Sequence, residues 1–179
     1  MLYMVECAFT DPAREQTWND YYSGRKLDEV LAVPGFRTSQ RFKAITKIPS
    51  PYLAIHTVDA LDVLTGQGYR GRGGGSFDQS FQPCITNWIR SFYGGLDRAP
   101  AYAESDLLVV CDYPAKAQDT GIEFTWLTAA GLDSPTPQRG IAGVSKAQAE
   151  QVAKTHATAI YVYVPMMAQR QELPGKPLR

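Results

Sequence analysis

The sequence predicts an α+β fold of the ferredoxin-like type, and three patterns near its N-terminus support this prediction. Residues 1–9 and 52–58 alternate in the manner of half-buried β-strands. Residues 18–33 place aromatic and aliphatic side chains at spacings of three and four, which indicates an amphipathic helix. A further strand follows the helix directly. The order β-α-β-β is the first part of a ferredoxin-like unit, and we expect such units to pair their sheets around a small-molecule cleft.

The predicted helix has a defined beginning and end. Asp11 supplies an N-cap oxygen, and Pro12 suits the first helical position. At the other end, Pro34 removes a helical donor and Gly35 can adopt the left-handed conformation that closes a helix. A second, short helix is expected over residues 60–66. Residues 77–93 are expected to be irregular, first extended and then forming one helical turn at 85–93.

Weak internal similarity predicts two units in the chain. Val5–Phe9 resembles Val109–Tyr113, and Ala54–His56 resembles Ala159–Tyr161. Matches in the same order favour a degenerate duplication, with chance as the alternative. We therefore expect two βαββ-type units packed together. The first covers residues 1–100 and includes a glycine-rich loop at 66–76, and the second, which is shorter, covers residues 101–179.

Composition excludes several classes of function. The 179 residues carry a formal net charge of +0, so no global field attracts nucleic acid or an anionic membrane. The apolar runs are too short to span a bilayer, and the N-terminus lacks the features of a signal peptide, which predicts a cytoplasmic protein. Its three cysteines have neither metal-ligand spacing nor a disulfide pattern, so no metal site is expected.

Residues 19–36, NDYYSGRKLDEVLAVPGF, resemble the first helix of EthD-like proteins in the dimeric α+β barrel superfamily. Tyr21 and Tyr22 match the aromatic pair of that family, and residues 31–36 match its Pro-Gly-Phe close. The strand at 52–58 also fits, so the resemblance covers roughly the first 95 residues.

One departure from the family pattern affects the chemistry. The family usually has an acidic residue followed by a histidine that often faces the cleft, where this chain has Arg25 and Lys26. Lys26 is the positional substitute, but its ordinary pKa near 10.4 makes it a poor base unless it is buried. The resemblance implies a barrel, a homodimer and a cleft. Members of the superfamily include cofactor-free monooxygenases, cyclases, isomerases, lyases and several haem enzymes.

His56 is the leading catalytic candidate. Alternation along its strand places it with Tyr52 and Ala54 on one face, and places Leu53 and Ile55 on the other. The second set is typical of a face packed on helices, so we expect His56 to line the cleft between sheets. There a neutral imidazole could exchange a proton near pH 7. A hydrogen-bonded core histidine is the alternative.

Further candidates come from the helix and from residues 87–93. Tyr21 and Tyr22 lie about 100° apart on a helix, so one is expected to offer its hydroxyl to the cleft. Arg90 is expected to stabilise negative charge that develops on the substrate. The residues predicted to bind substrate are Lys26, Trp88, Tyr93 and Trp18. Packing is the alternative role for each aromatic.

The glycine-rich loop is predicted to be mobile or to contact the mouth of the cleft. It has no Lys-Ser/Thr pair and no second basic patch, which argues against a phosphate cradle and against an RNA contact. A loop that gates substrate access fits its composition better.

The leading functional hypothesis is a cofactor-independent enzyme that uses acid–base chemistry of the lyase, dehydratase or isomerase type. Its partner would be a small, mostly apolar, oxygen-bearing substrate, with no nucleic acid and no membrane. A non-catalytic ligand-binding or stress-responsive barrel protein is the alternative class. A haem-binding protein with a single axial histidine is a third, less favoured one.

Overall fold

A computed structural model describes residues 1–156 and 159–172, and strands dominate it. The strands are β1 (Leu2–Phe9), β2 (Phe36–Ala44), β3 (Tyr52–Val58), β4 (Ile85–Gly94), β5 (Leu107–Cys111), β6 (Thr125–Leu132), β7 (Gln138–Val144), β8 (Ile160–Pro165) and β9 (Arg170–Gln171). The α-helices are α1 (Glu15–Tyr21), α2 (Leu27–Leu31), α3 (Gln67–Arg70), α4 (Pro114–Ala117) and α5 (Lys146–Thr155). A π-helical turn, Tyr22–Lys26, joins α1 to α2. None of the described helices is long and apolar enough to cross a membrane.

Eight strands close into one antiparallel barrel. The order around the ring is β3-β1-β4-β6-β7-β5-β8-β2, and pairing of β2 with β3 completes the circle. The short strand β9 pairs with β2 beyond the end of β8. Closure of this kind pairs the strand edges that an open sheet would expose.

The predicted fold class is therefore wrong. The described residues form a closed antiparallel β-barrel with few helices, in place of an α+β, ferredoxin-like pair of βαββ units with facing sheets. Pairings of β4 with β6 and of β8 with β2 join the two halves into one sheet. Such contacts link residues far apart in the chain, and local patterns do not reveal them. The division at residue 100 stays a prediction, although the strand order β2-β3-β1-β4 recurs as β6-β7-β5-β8.

Three local predictions also differ from the structure. Residues 85–93 lie in strand β4, because β1 and β6 supply hydrogen-bond partners on its two sides. Residues 60–66 contain only a 3₁₀ turn, Leu61–Leu64. The first helix begins at Glu15 and is interrupted by the π turn, although it ends before Gly35, which has a φ of 97°.

Alternating side chains divide the core into layers. The barrel interior has an apolar core that includes Leu2, Met4, Leu53, Ile55, Tyr93, Leu108, Leu127 and Tyr163. On the outside of the first half, α1, the π turn, α2 and residues 67–81 cover the other face of β1, β3 and β4. Helix α5 covers the outside of the second half. The candidate site lies in the layer outside the first half.

Candidate functional site

A small cavity separates the outer face of the first half from the elements that cover it. Strand pairing sets Tyr3 of β1 directly opposite His56 of β3. The π turn contributes Tyr22 and Lys26, and the residues after α3 form the roof. The residues with polar groups that line this cavity include Tyr3, Tyr22, Lys26, His56, Tyr69 and Trp88.

His56 is buried and neutral. Its side chain is 2% exposed, and its Nδ1 lies 2.6 Å from the hydroxyl of Ser39. Its imidazole stacks on the ring of Tyr3, with 5.4 Å between centroids. Burial, with a smaller contribution from the charge of Lys26, lowers the pKa of His56 to about 3. Since the described residues give Nε2 no hydrogen-bond partner, that nitrogen is free to act on a molecule in the cavity.

Lys26 is the cation of the site. It is 6% exposed, and its Nζ donates a hydrogen bond of 2.5 Å to the carbonyl of Gly73 in the roof. Burial lowers the pKa of Lys26 below its ordinary value. Among the described residues it has no ion-pair partner, so its charge is available to a ligand oxygen.

The remaining polar groups of the cavity are hydrogen-bond donors held among aromatic rings. The hydroxyls of Tyr3 and Tyr69 lie 3.1 Å apart, and burial raises the pKa of Tyr3, which keeps that phenol neutral. Burial also raises the pKa of Tyr22. The indole Nε1 of Trp88 is buried and has no partner in the described part of the chain. A buried N–H without a partner costs free energy.

The glycine-rich segment forms the roof of the cavity. Gly74 packs against Tyr69: its N–H donates to the carbonyl of Tyr69 at 2.8 Å, and a Cβ at this position would lie 2.4 Å from the tyrosine ring. Gly73 and Gly75 both have positive φ values, 69° and 75°, which glycine adopts at little cost. The loop therefore lies over the site in a conformation that its glycines permit.

The cavity is small and opens next to a larger groove. Its water-accessible volume is about 20 Å³, enough for roughly one water molecule. The neighbouring groove measures about 420 Å³, and its lining includes Tyr21 and Arg72. Lys26, Ser76 and Phe77 line both spaces. The hydrogen bond from Lys26 to Gly73 consequently lies where a molecule would pass from the groove to the cavity.

The structure brings together most of the residues that the sequence singled out. Tyr22, Lys26, His56 and Trp88 line the cavity, and Tyr21 lines the groove. Arg90 lies beside Trp88, with its guanidinium carbon 5.4 Å from the indole ring. A Cβ added to Gly75 would come within 3.0 Å of the same guanidinium, so Arg90 lies at the edge of the roof.

Trp18 and Tyr93 lie elsewhere. Trp18 is fully buried in the same layer, behind the lining residues Tyr22 and Phe77, and is in T-shaped contact with Tyr52 at 4.6 Å. Tyr93 points to the opposite side of β4, into the barrel, where the guanidinium of Arg139 lies 5.6 Å from its ring. Neither side chain lines the cavity.

The environment of His56 is the reverse of the expected one. Its strand face is covered by helix and loop, whereas Leu53 and Ile55 point into the barrel. The alternation was correct, but a two-fold pattern does not say which side each face meets. His56 thus lies between sheet and helix, not between two sheets.

Sequence reasoning missed three residues of the site. Tyr3 alternates in phase with Val5 on β1, and its position opposite His56 follows only from the strand register. Ser39, which bonds His56, lies across from it on β2. Tyr69 stands in the glycine-rich segment, where an isolated aromatic is a weak signal of an anchoring contact.

A haem with His56 as axial ligand does not fit the residues present. The space beside the imidazole holds about one water, far less than a haem occupies. A group of three or more histidine, cysteine or acidic side chains with the spacing to hold a metal ion does not occur within residues 1–156 and 159–172.

Comparisons with known proteins give a likeness of fold. No protein-family model matches the chain, and no curated protein matches it. An anthrone oxidase-like protein of known structure gives a TM-score of 0.54 at 11% identity, over 99% of this chain and 94% of that chain. A candidate monooxygenase from Lactobacillus acidophilus NCFM gives 0.49 at 8% identity, over 93% of this chain and 94% of the other.

The anthrone oxidase-like structure shows a likeness of fold alone, because its identity to this chain is 11%. The EthD family itself finds no support. At 11% identity the likeness says nothing about substrate, and the TM-score of 0.49 carries no argument.

Proposed function

We propose that this protein is an enzyme that oxidises a small, flat, oxygen-bearing aromatic molecule with O2, using proton transfer at His56. The observation that carries the proposal is the neutral imidazole of His56. Its Nδ1 is held by Ser39, and Nε2 is left for the cavity that His56 lines. The name of the anthrone oxidase-like neighbour supports oxidation. Lyase, dehydratase or isomerase chemistry has no comparable support.

The lining of the cavity favours a particular class of substrate. The rings of Tyr3, Tyr22, Phe77 and Trp88 suit a planar aromatic body. The unpartnered Nε1 of Trp88 and the ammonium of Lys26 suit an oxygen that gains negative charge during the reaction. An aromatic ketone or phenol combines these two features.

The proposed reaction begins with loss of a proton from carbon. Nε2 of His56 takes a proton from a ring CH₂ that is conjugated to the carbonyl, and the electron pair moves onto the carbonyl oxygen, where Lys26 stabilises it. The resulting carbanion reduces O2 and bonds to it, and the hydroperoxide recovers the proton from His56. Loss of water then leaves a second carbonyl, so that CH₂ and O2 give C=O and H₂O.

The low pKa of His56 selects for acidic substrates. An imidazole whose pKa is about 3 is neutral at pH 7 but is a weak base. It suits a carbon acid whose anion is delocalised over aromatic rings and is stabilised by a nearby ammonium. The same observation favours the second candidate function, a non-catalytic protein that binds such molecules.

Substrate entry requires the roof to move. The closed cavity holds about one water, whereas the groove beyond Lys26 is about 420 Å³. We infer that Lys26 exchanges the carbonyl of Gly73 for the substrate oxygen as the loop opens and closes. The expected homodimer and the cytoplasmic location stay predictions.

The test uses anthrone as the probe and follows O2 uptake together with quinone absorbance. Compared with the wild type, His56→Gln should lower turnover at least about tenfold, because general acid–base groups contribute about 10²–10⁴-fold. The matched control is His156→Gln, since the chain has only two histidines and the second follows α5. Near-UV circular dichroism establishes that each variant is folded.

A folded His56→Gln variant that turns over at the wild-type rate would show that His56 is structural. Trp88→Phe separates binding from catalysis. It should weaken anthrone binding while leaving the empty protein at least as stable, because it removes a buried donor that has no partner. Wild-type protein that binds anthrone without O2 uptake would instead establish the binding-protein alternative.

A further inference from the structure

We propose that Arg41 and Arg170 are positioning residues, which hold the π turn so that Lys26 points into the cavity. The inference rests on the proposed function for its consequence in catalysis. Its structural part stands on the contacts of the two arginines.

The π turn decides where Lys26 points. Tyr22–Lys26 is a five-residue π-helical segment between two α-helical ones. A π turn holds about one residue more than an α turn, and one residue corresponds to about 100° of rotation. In an unbroken α-helix, the side chains after this point would therefore be rotated by about 100° from the directions they have here. Short π segments are uncommon and frequently lie at functional sites.

Arg41 on β2 holds the first part of this turn. Its Nη1 donates to the carbonyl of Asn19 at 3.1 Å and to the hydroxyl of Ser23 at 2.8 Å. Its Nη2 donates to the Oδ1 atom of Asn19 at 2.8 Å. The guanidinium also stacks on the ring of Tyr22, with its carbon 4.1 Å from the centroid.

Arg41 has no acidic partner within the described residues. Its side chain is 1% exposed, and burial lowers its pKa. A buried cation is normally paired with an anion, because an unpaired charge loses much hydration free energy. The guanidinium of Arg41 instead bonds carbonyl, amide and hydroxyl oxygens, and the ring of Trp18 lies 5.0 Å from its carbon. The contacts of Arg41 therefore fix the backbone where α1 passes into the π turn.

Arg170 on β9 holds the middle of the turn. Its Nη1 donates to the carbonyl of Ser23 at 3.0 Å and to that of Gly24 at 3.3 Å. Its Nη2 pairs with Asp28 in α2. The two arginines thus tie the π turn to strands on its barrel side, and neither of them lines the cavity.

The test measures Lys26 directly, without relying on turnover. In protein labelled with ¹³C-lysine, the Lys26 resonance is assigned with Lys26→Met and titrated. The charged groups around Lys26 are Glu29, Arg25, Arg72 and Asp78, and the neutral titratable groups are His56 and the tyrosines of the cavity. We expect Arg41→Gln and Arg170→Gln to move the Lys26 midpoint up towards that of an exposed lysine. Arg37→Gln is the control, as Arg37 lies on β2 with a half-exposed side chain.

Catalysis provides the second readout. Each turn variant should lower kcat for anthrone about tenfold or more with a smaller change in KM, whereas Arg37→Gln should not. An unchanged Lys26 midpoint in folded Arg170→Gln and Arg41→Lys would overturn the inference, and Arg41→Lys is included in case Arg41→Gln does not fold. If the Lys26 midpoint shifts in these variants but the wild-type protein does not turn over anthrone, the positioning role is supported and the proposed reaction is rejected.

Discussion

Burial determines the charge of His56 in this protein. Its ring is enclosed by Tyr3 and Phe36, and the nearest cation is that of Lys26. Both effects oppose protonation, so the imidazole stays neutral far below its ordinary pKa. The neutral state of the imidazole is a consequence of its position on β3 and of the helix that covers it.

The pKa of His56 predicts a loss of stability in acid. The folded protein holds this group at about 3, against about 6.5 when unfolded, so the unfolded state binds more protons between these values. The free energy of unfolding is therefore unaffected by the titration of His56 above pH 6.5, and it decreases as the pH falls towards 3. A shift of this size corresponds to about 5 kcal/mol in the free energy of unfolding. Urea unfolding at several pH values measures the slope of the free energy of unfolding against pH.

The difference between variants isolates this effect from the carboxylates that also titrate in acid. His56→Gln should remove most of the wild-type slope between pH 6.5 and 4, and His156→Gln should leave it in place. Equal slopes for wild type and His56→Gln would mean that His56 is already protonated, or exposed, in the folded protein.

At the scale of elements, the loop after α3 closes the site by fitting closely against its own aromatic anchor. Tyr69 reaches into the cavity and bonds Tyr3, and Gly74 lies against the ring of Tyr69. Lys26 supplies a third attachment through Gly73. The loop is therefore held by a few specific contacts, which a ligand can replace.

Gly74→Ala should open this loop. The added Cβ would lie 2.4 Å from both the ring and the carbonyl oxygen of Tyr69, so one of them has to move. We expect faster hydrogen exchange over residues 67–77 and a loss of stability of about 1–3 kcal/mol, the usual range for overpacking. Gly68→Ala is the control, because its nearest contact is Val33 at an ordinary 4.0 Å. Unchanged exchange in Gly74→Ala would show that the loop does not pack in this way.

For the whole molecule, a buried ion cluster joins the two halves inside the barrel. Arg139 on β7 donates to Glu6 on β1 at 2.6 Å and to Asp112, just after β5, at 2.7 and 3.0 Å. The side chain of Arg139 is 3% exposed. Removal of this one cation would leave two carboxylates in the barrel interior.

Arg139→Leu should therefore destabilise the whole barrel. Breaking a buried pair by removing one partner typically costs about 3–5 kcal/mol, because the remaining charge is uncompensated. Chemical denaturation followed by fluorescence measures the change, and the loss should extend to both halves. Arg37→Leu gives the comparison, since its pairs with Asp59 and Glu172 are half exposed and should contribute under about 1 kcal/mol. A loss in Arg139→Leu no larger than that of Arg37→Leu would contradict this account.

Local chemistry in the sequence was sufficient for several features. The alternation of β1 and β3 and the helix stop at Pro34 and Gly35 could be recognised from residue type and spacing. Tyr22, His56 and Trp88 were singled out in the same way, whereas Lys26 came from the family resemblance; all four line the cavity. These features depend on neighbours in the chain, whose conformational preferences act over a few residues.

Other features were decided only by the tertiary structure. Whether His56 met helix or barrel interior, and whether Tyr93 joined Trp88 or turned away from it, depended on which face of the sheet each element covered. The segment at 85–93 became a strand because β1 and β6 offered hydrogen bonds that a local pattern does not contain. Barrel closure arises in the same way, since the pairing of β8 with β2 joins residues more than a hundred positions apart and its free energy belongs to the folded chain as a whole.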